Sequence, residues 1–314
     1  MAEQSVGSEI GSPKRSIAGA LTVDLEDWRC ALSPDPRADY RKRPAPDVEY
    51  INKATHAMLE ELDAYGAKAT FFVLGEVAVA APEAVKEIAR RGHEVASHSP
   101  VHLPPRLIPR DDYRRLVLRD VEFLEDLVGT RPVGFRVPYM SLRRSDGWLL
   151  KLLADAGFLY DSSVAPTWTP YWGIPFANKV PYFPDFEDIA RRSGQLRIVE
   201  IPLTVWPMWR SLPGLPIAGG FYMRMWPSRL LRYMLRDNVR KGHPLNLYIH
   251  PGNLQDRKEM IENPTFRDRL SQYSRLEEGL PRFRDIMREF KFGAVIDSFA
   301  DKIPGRRVPG DRIA

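Results

Sequence analysis

A single cysteine, Cys30, leaves no partner for an internal disulfide, and it excludes any zinc site built from several thiolates. Long apolar runs are also missing: no stretch approaches the roughly 18 residues of a membrane span. The first seventeen residues are polar and rich in Gly and Ser, with neither an apolar core nor an alanine-type cleavage site, so no secretory leader is expected. Nucleic-acid motifs are absent as well. The net charge of +5 is modest for 314 residues and reads as a solvated, arginine-rich surface, with no nucleic-acid partner expected. These absences describe a soluble, cytoplasmic protein of enzyme size. Hydrophobic content of 44% and charged content of 28% are those of a globular chain long enough for a large core.

Proline (28) and tryptophan (7) are plentiful, and many fall between Pro166 and Pro227. That region breaks a rhythm the rest of the chain keeps. Residues 18–23 read as a buried strand, 50–65 as a helix stopped by Gly66, 69–74 as a strand, 83–91 as a helix and 94–97 as a strand. A helix over 111–128, a strand over 133–139, a helix over 146–156 and a strand over 158–163 follow. Repeated βα alternation is the pattern of a barrel or a doubly wound sheet. Further on, residues 196–205 suggest a strand, 226–240 a helix and 244–249 a strand. A helical segment over 265–290 is expected to break at Gly279 and Pro281, and 292–296 suggests a last strand. Arginines at 229, 232, 236 and 240 would let the 226–240 helix lie on a membrane surface. An outer helix covering a sheet is the preferred reading. The chain reads as a tail over 1–16, one domain over 17–303 with a decorated C-terminal third, and a tail over 304–314.

Polar groups sit at the ends of four of these strands. The first ends in Asp24-Leu25-Glu26-Asp27-Trp28, where alternation sets Asp24 and Glu26 on one face and Asp27 on the other. The third leads into His98 and His102, four residues apart; on one helical turn both rings would face a single cation. Arg136 ends the fourth strand, and His250 follows 244–249. Carboxyl ends of parallel strands are where such sheets carry chemistry. The insertion holds Trp168, Tyr171, Trp172, Phe176, Tyr182, Phe183, Trp206 and Trp209. Those rings would suit either the apolar faces of sugar rings or the filling of an irregular core.

With these residues in place, the chain resembles the polysaccharide deacetylase (NodB-homology) family, specifically its subgroup associated with exopolysaccharide gene clusters. The resemblance rests on Thr22-Val23-Asp24-Leu25-Glu26-Asp27-Trp28, Ala69-Thr70-Phe71-Phe72-Val73-Leu74-Gly75, residues 92–102, Gly134-Phe135-Arg136-Val137-Pro138-Tyr139, Tyr160-Asp161-Ser162-Ser163 and Leu247-Tyr248-Ile249-His250-Pro251, in family order. It implies an α/β fold, a distorted (β/α)7 barrel with a Trp/Pro-rich insertion, and a metal at the carboxyl ends of its strands. Glu26, His98 and His102 would hold that metal, zinc first, with Co2+, Ni2+ or Fe2+ as alternatives. The Asp24-x-Glu26-Asp27 spacing departs from the family's adjacent aspartates and leaves Asp27 as a second candidate ligand. By the same analogy Asp24 is the general base, paired with Arg136, and His250 is the general acid, oriented by Asp161. Tyr139 and Trp28 would line the substrate and oxyanion side. The implied reaction is hydrolysis of the acetamido group of an N-acetylated carbohydrate. A peripheral membrane contact through the basic helix stays open beside it as an alternative to the outer-helix reading. Rival readings are an allantoinase-like amide hydrolase and a non-catalytic, metal-dependent glycan-binding protein.

Overall fold

Strand β1 (Gly19–Leu25) is buried along its whole length, and its alternation decides what faces what. Leu21, Val23 and Leu25 join the core under the surrounding helices, whereas Ala20 packs in a separate inner cluster with Phe72, Ala96 and Tyr160. Thr22 and Asp24 share that inner face. The computed structural model describes residues 17–31, 39–169, 172–208, 212–255 and 266–305; the tail assigned to 1–16, Tyr171 and Trp209 lie outside them.

Around β1 the sheet is parallel: β2 (Thr70–Val73), β3 (Glu94–Ser97), β4 (Gly134–Phe135), β5 (Tyr160–Asp161) and β6 (Val199–Glu200) follow in order. An antiparallel pair, β7 (Val205–Trp206) and β8 (Leu215–Pro216), stands apart. Strand β9 (Leu245–Ile249) returns to pair in parallel with β1, and β10 (Phe292–Gly293) pairs with the start of β1. The two ends of the curled sheet are stitched by Asn246. Its carbonyl accepts from Thr204 N at 3.1 Å, its N–H donates to Thr204 Oγ1 at 2.6 Å, and its amide reaches Ile201 O at 3.0 Å.

Helices follow the strands. α1 (Val48–Ala64) starts at Asp47, whose carboxylate accepts from Tyr50 N, and buries Ile51, Met58, Leu59 and Leu62. α2 (Gly75–Ala80), α3 (Pro82–Arg90), α4 (Arg110–Val128) and α5 (Gly147–Asp155) follow in turn, with α4 ended by Gly129 at φ 72°. α6 (Gly220–Met225) and α7 (Ser228–Arg240) precede β9. Two short helical turns and a 3-10 turn then lead to α8 (Gly279–Glu289), and α9 (Val295–Ser298) closes the set.

Several expected boundaries move for identifiable reasons. The strand expected over 133–139 stops at Phe135, because the chain turns into a 3-10 segment at Pro138 with Tyr139 at φ 60°. The strand expected over 196–205 splits into β6 and β7 on either side of Pro202, which has no N–H to give a ladder. Gly279 and Pro281 begin a helix instead of breaking one, since the missing N–H of a first-turn proline costs nothing there. The strand expected over 292–296 keeps two residues before α9 takes over.

Candidate metal and hydrolytic site

His98 and His102 do not lie on a helical turn, as their spacing suggested. Residues 98–102 form a bent loop with Ser99 at φ 75°, closed by Pro104 and Pro105. This loop is fixed from beneath. Ser97 Oγ donates to Asp120 on α4 at 2.7 Å and accepts from Ser99 N at 3.2 Å, and the Ser99 and Tyr113 hydroxyls meet at 2.9 Å. The Ser99 and Pro100 carbonyls accept from Gly75 N and Glu76 N, both at 3.0 Å. Gly75 is required at that contact: a Cβ there would meet Asp120 Oδ1 at 2.2 Å. The result still brings the imidazoles together, with ring centroids 5.6 Å apart.

Glu26 completes the group. Its Oε2 lies 2.5 Å from His102 Nε2 and 3.7 Å from His98 Nε2, and its Oε1 lies 2.9 Å from His250 Nε2. Burial raises the Glu26 carboxyl, but His102 and His250 overcome that and hold it well below the usual carboxylate range. One ligating atom from each of Glu26, His98 and His102 falls within a 4.8 Å span, and all three residues are largely shielded from solvent. Glu26 Oε2 and His102 Nδ1 are buried without a hydrogen-bond partner. A carboxylate oxygen aimed at two imidazole nitrogens is the donor set a borderline divalent cation prefers, so the residues present fit such an ion. His98 Nδ1 faces Arg136 O at 3.0 Å, which presents Nε2 inward.

Asp27 points elsewhere. Its carboxylate accepts from Arg29 N at 2.7 Å and from Asp47 N, and it pairs with the Arg29 guanidinium at 3.3 Å. It braces the loop after β1 and does not join the histidines. Trp28 belongs to the same loop, its indole N–H reaching Asp47 at 3.4 Å with Arg29 over its ring. Tyr139 packs at a tilt against His102 with centroids 4.2 Å apart, and burial keeps its phenol protonated.

Arg136 crosses the interior of the curled sheet, fully buried. Nη1 donates to Asp24 Oδ1 and to Thr22 Oγ1, each at 2.7 Å; Nε donates to Ser162 O and Nη2 to Ser162 Oγ, each at 2.8 Å. Its guanidinium also lies 4.1 Å from the Phe72 ring centroid. Asp24 therefore sits on the inner face with one oxygen bound to a fixed cation.

His250 follows β9. Its backbone N–H donates to Asn253 Oδ1 at 2.8 Å, and its Nδ1 lies 3.4 Å from the same oxygen, so the ring turns Nε2 toward Glu26. Asp161, expected to orient His250, is engaged differently. It accepts from Ser163 Oγ at 2.8 Å and from Ser163 N at 3.2 Å, and lies opposite Glu200 on the neighbouring strand. Burial raises both carboxyls, Glu200 the further. Ser163 favours the ionised form of Asp161, while the Glu200 carboxyl accepts from Val164 N and is raised further by burial, so Glu200 is the one that holds its proton longer. A protonated Glu200 also explains its buried, otherwise unpartnered Oε2.

Sequence reasoning missed Thr22, Ser97, Asp120, Ser162, Glu200 and Asn246. Asp120 had a visible signal: it falls on the apolar stripe of α4 beside Val117, Val121 and Leu124. A carboxyl on a buried helix face requires a partner, and burial lifts this one to about 7.

The polysaccharide deacetylase family profile matches residues 45–160, and a domain of unknown function, DUF3473, matches residues 162–300. The chain thus carries a polysaccharide deacetylase domain over 45–160, followed by DUF3473. It is similar to a Bacillus cereus peptidoglycan-N-acetylglucosamine deacetylase, 37% identical over 94 residues, which is 30% of this chain and 33% of that protein. A Gibberella zeae peptidoglycan deacetylase-like protein is 30% identical over 191 residues, 55% of each chain. The chain thus spans between a fifth and about half of the length of the curated relatives it matches. Among solved structures, a Mycobacterium smegmatis protein whose own assignment as a polysaccharide deacetylase is provisional superposes with a TM-score of 0.57 at 21% identity, covering 96% of this chain and 97% of that one. PuuE allantoinase superposes with a TM-score of 0.53 at 16% identity, over 88% and 85%. These likenesses share the deacetylase-type barrel fold. The candidate site straddles both matched regions, with His98, His102 and Arg136 in the first, His250 in the second, and Asp24 and Glu26 before either.

Proposed function

We propose that the protein is a metal-dependent N-deacetylase that hydrolyses the acetamido group of an N-acetylated sugar to acetate and free amine. The observation that carries this reading is the convergence on Glu26 of His98, His102 and His250, with Asp24 held by Arg136 on the same inner face. The names of the matched relatives, peptidoglycan N-acetylglucosamine deacetylases among them, support the substrate class.

Glu26, His98 and His102 would hold one divalent cation, zinc in the first instance, which supplies Lewis acidity toward the amide carbonyl and lowers the pKa of water toward ~7. Asp24 accepts a proton from the water attacking the acetyl carbon. Its Oδ1 is committed to Arg136, leaving Oδ2 for that proton. A backbone N–H at the Tyr139 turn would donate to the developing oxyanion. His250 Nε2 gives a proton to the departing nitrogen as the C–N bond breaks. The test is an acetate-release screen over N-acetylglucosamine, its oligomers and allantoin with added Zn2+. Acetate from the sugars alone supports the proposal; turnover of allantoin alone replaces it with an amide hydrolase of another class.

A further inference from the structure

The 162–300 region brings more than His250 to the candidate site. Ser162 opens that region, Ile201 follows β6, and Asn246 and Leu247 lie on β9. Ser162 and Asn246 are fully buried, as is the Arg136 guanidinium they surround. A serine or threonine hydroxyl donates one hydrogen bond and accepts two, so the use of its proton decides which way its lone pairs face. Thr22 Oγ1 donates to Leu247 O and Ser162 Oγ donates to Ile201 O, each at 2.9 Å. With those protons spent, both oxygens face the guanidinium as acceptors, Thr22 Oγ1 for Nη1 and Ser162 Oγ for Nη2.

Asn246 completes the arrangement. Its Nδ2 donates to Ser162 Oγ at 2.9 Å, which fills every bond that oxygen can make. The same amide reaches Ile201 O at 3.0 Å and Pro202 O at 3.2 Å, and the Asn246 backbone N–H is held by Thr204 Oγ1. Turning the amide this way leaves Asn246 Oδ1 buried without a hydrogen-bond partner, an unfavourable arrangement of the kind found where function rather than stability sets the geometry. A guanidinium is a planar fork. Fixing Nε and Nη2 on Ser162 therefore fixes the plane in which Nη1 meets Asp24 Oδ1. Thr204, Asn246, Ser162, Arg136 and Asp24 thus form one unbroken chain inside the sheet, and its far end belongs to the 162–300 region.

We propose that Ser162 and Asn246 are positioning residues, which hold Arg136 in the orientation that keeps Asp24 Oδ2 free for the attacking water. The 162–300 region then aims the base as well as supplying the acid. The proposal rests on the deacetylase reading and gives the DUF3473 region a second part in it. A misaimed proton acceptor slows the chemical step without weakening substrate binding, so the effect belongs in kcat, with KM and metal content unmoved.

The experiment is a double-mutant cycle on kcat for acetate release from an N-acetylglucosamine oligomer, with zinc content measured on each preparation. Ser162→Ala lowers kcat roughly ten- to hundredfold, the cost of a misplaced reacting group, and leaves KM and bound zinc at wild-type values. Asn246→Leu, which replaces the amide by an apolar side chain of similar size, lowers kcat in the same way by a smaller factor. In an Asp24→Asn background neither change lowers kcat further, because the group they aim is gone. A full additional loss in that background, as general loosening of the fold would give, overturns the proposal; so does wild-type kcat in both single variants. Nitrogen-15-labelled arginine gives a readout apart from turnover. The Nη protons of Arg136, recognised by their loss in Arg136→Lys, give sharp, slowly exchanging signals in the wild type that broaden in Ser162→Ala. A wild type that releases acetate from no sugar overturns the deacetylase reading instead. The arginine signals then decide the clamp, which fails if they are the same in Ser162→Ala as in the wild type.

Discussion

Arg136 makes four hydrogen bonds inside the sheet, so its loss leaves Asp24, Thr22 and Ser162 facing a volume too polar to collapse. Arg136→Met should cost about 3–5 kcal/mol, the penalty for stranding a buried charge, measured by urea unfolding. Asp24→Asn keeps the hydrogen-bonded shape. It should leave metal content intact and lower turnover ~10²–10⁴-fold, the usual weight of a positioned proton acceptor, checked by metal analysis and acetate release on one preparation. The buried Asp161–Glu200 pair makes a pH prediction. Glu200 is raised when folded, so the unfolded chain ionises first as pH climbs past about 4.3, and stability falls through the interval up to the folded value. Glu200→Gln mimics the protonated acid. Its Tm should exceed the wild type's at pH 8, with the gap closing toward pH 4; a constant gap would contradict a raised Glu200 carboxyl.

At the scale of elements, most strands and helices were readable because burial on β1 and the apolar stripes of α1 and α4 follow simple periods. The loop carrying the histidines was not. Its shape comes from Ser99 at positive φ and from Asp120 on a distant helix, neither of which spacing along the chain encodes. Ser99→Val should therefore cost about 1–3 kcal/mol, because a β-branched residue tolerates that backbone poorly, whereas Ser99→Gly relieves the backbone strain and loses only the Tyr113 hydroxyl contact. Paired thermal melts compare the two. The split of β6 from β7 was legible in Pro202 alone, and the true start of α8 in Gly279 and Pro281, had first-turn proline been weighed against mid-helix proline.

Over the whole molecule, the strand ends that carry Asp24, Glu26, His98, Arg136 and His250 could be picked out because each follows an apolar run, and the parallel sheet brings them to one rim. What the sequence hid were pairings set only by closure of the sheet. Asp161 meets Glu200 across neighbouring strands, and Asn246 ties the two sheet ends through Thr204 and Ile201. Closure also makes the 162–300 region part of the same sheet as β1, so Glu26, His98 and His102 face His250 only when both halves are folded. The most direct test of the account is to strip the protein of metal with chelator and titrate Zn2+ back while following acetate release from an N-acetylglucosamine oligomer. Activity should be lost on stripping and return to a plateau at one equivalent, with no recovery in His102→Ala. Full activity in the stripped protein, or recovery in His102→Ala matching the wild type, would contradict it.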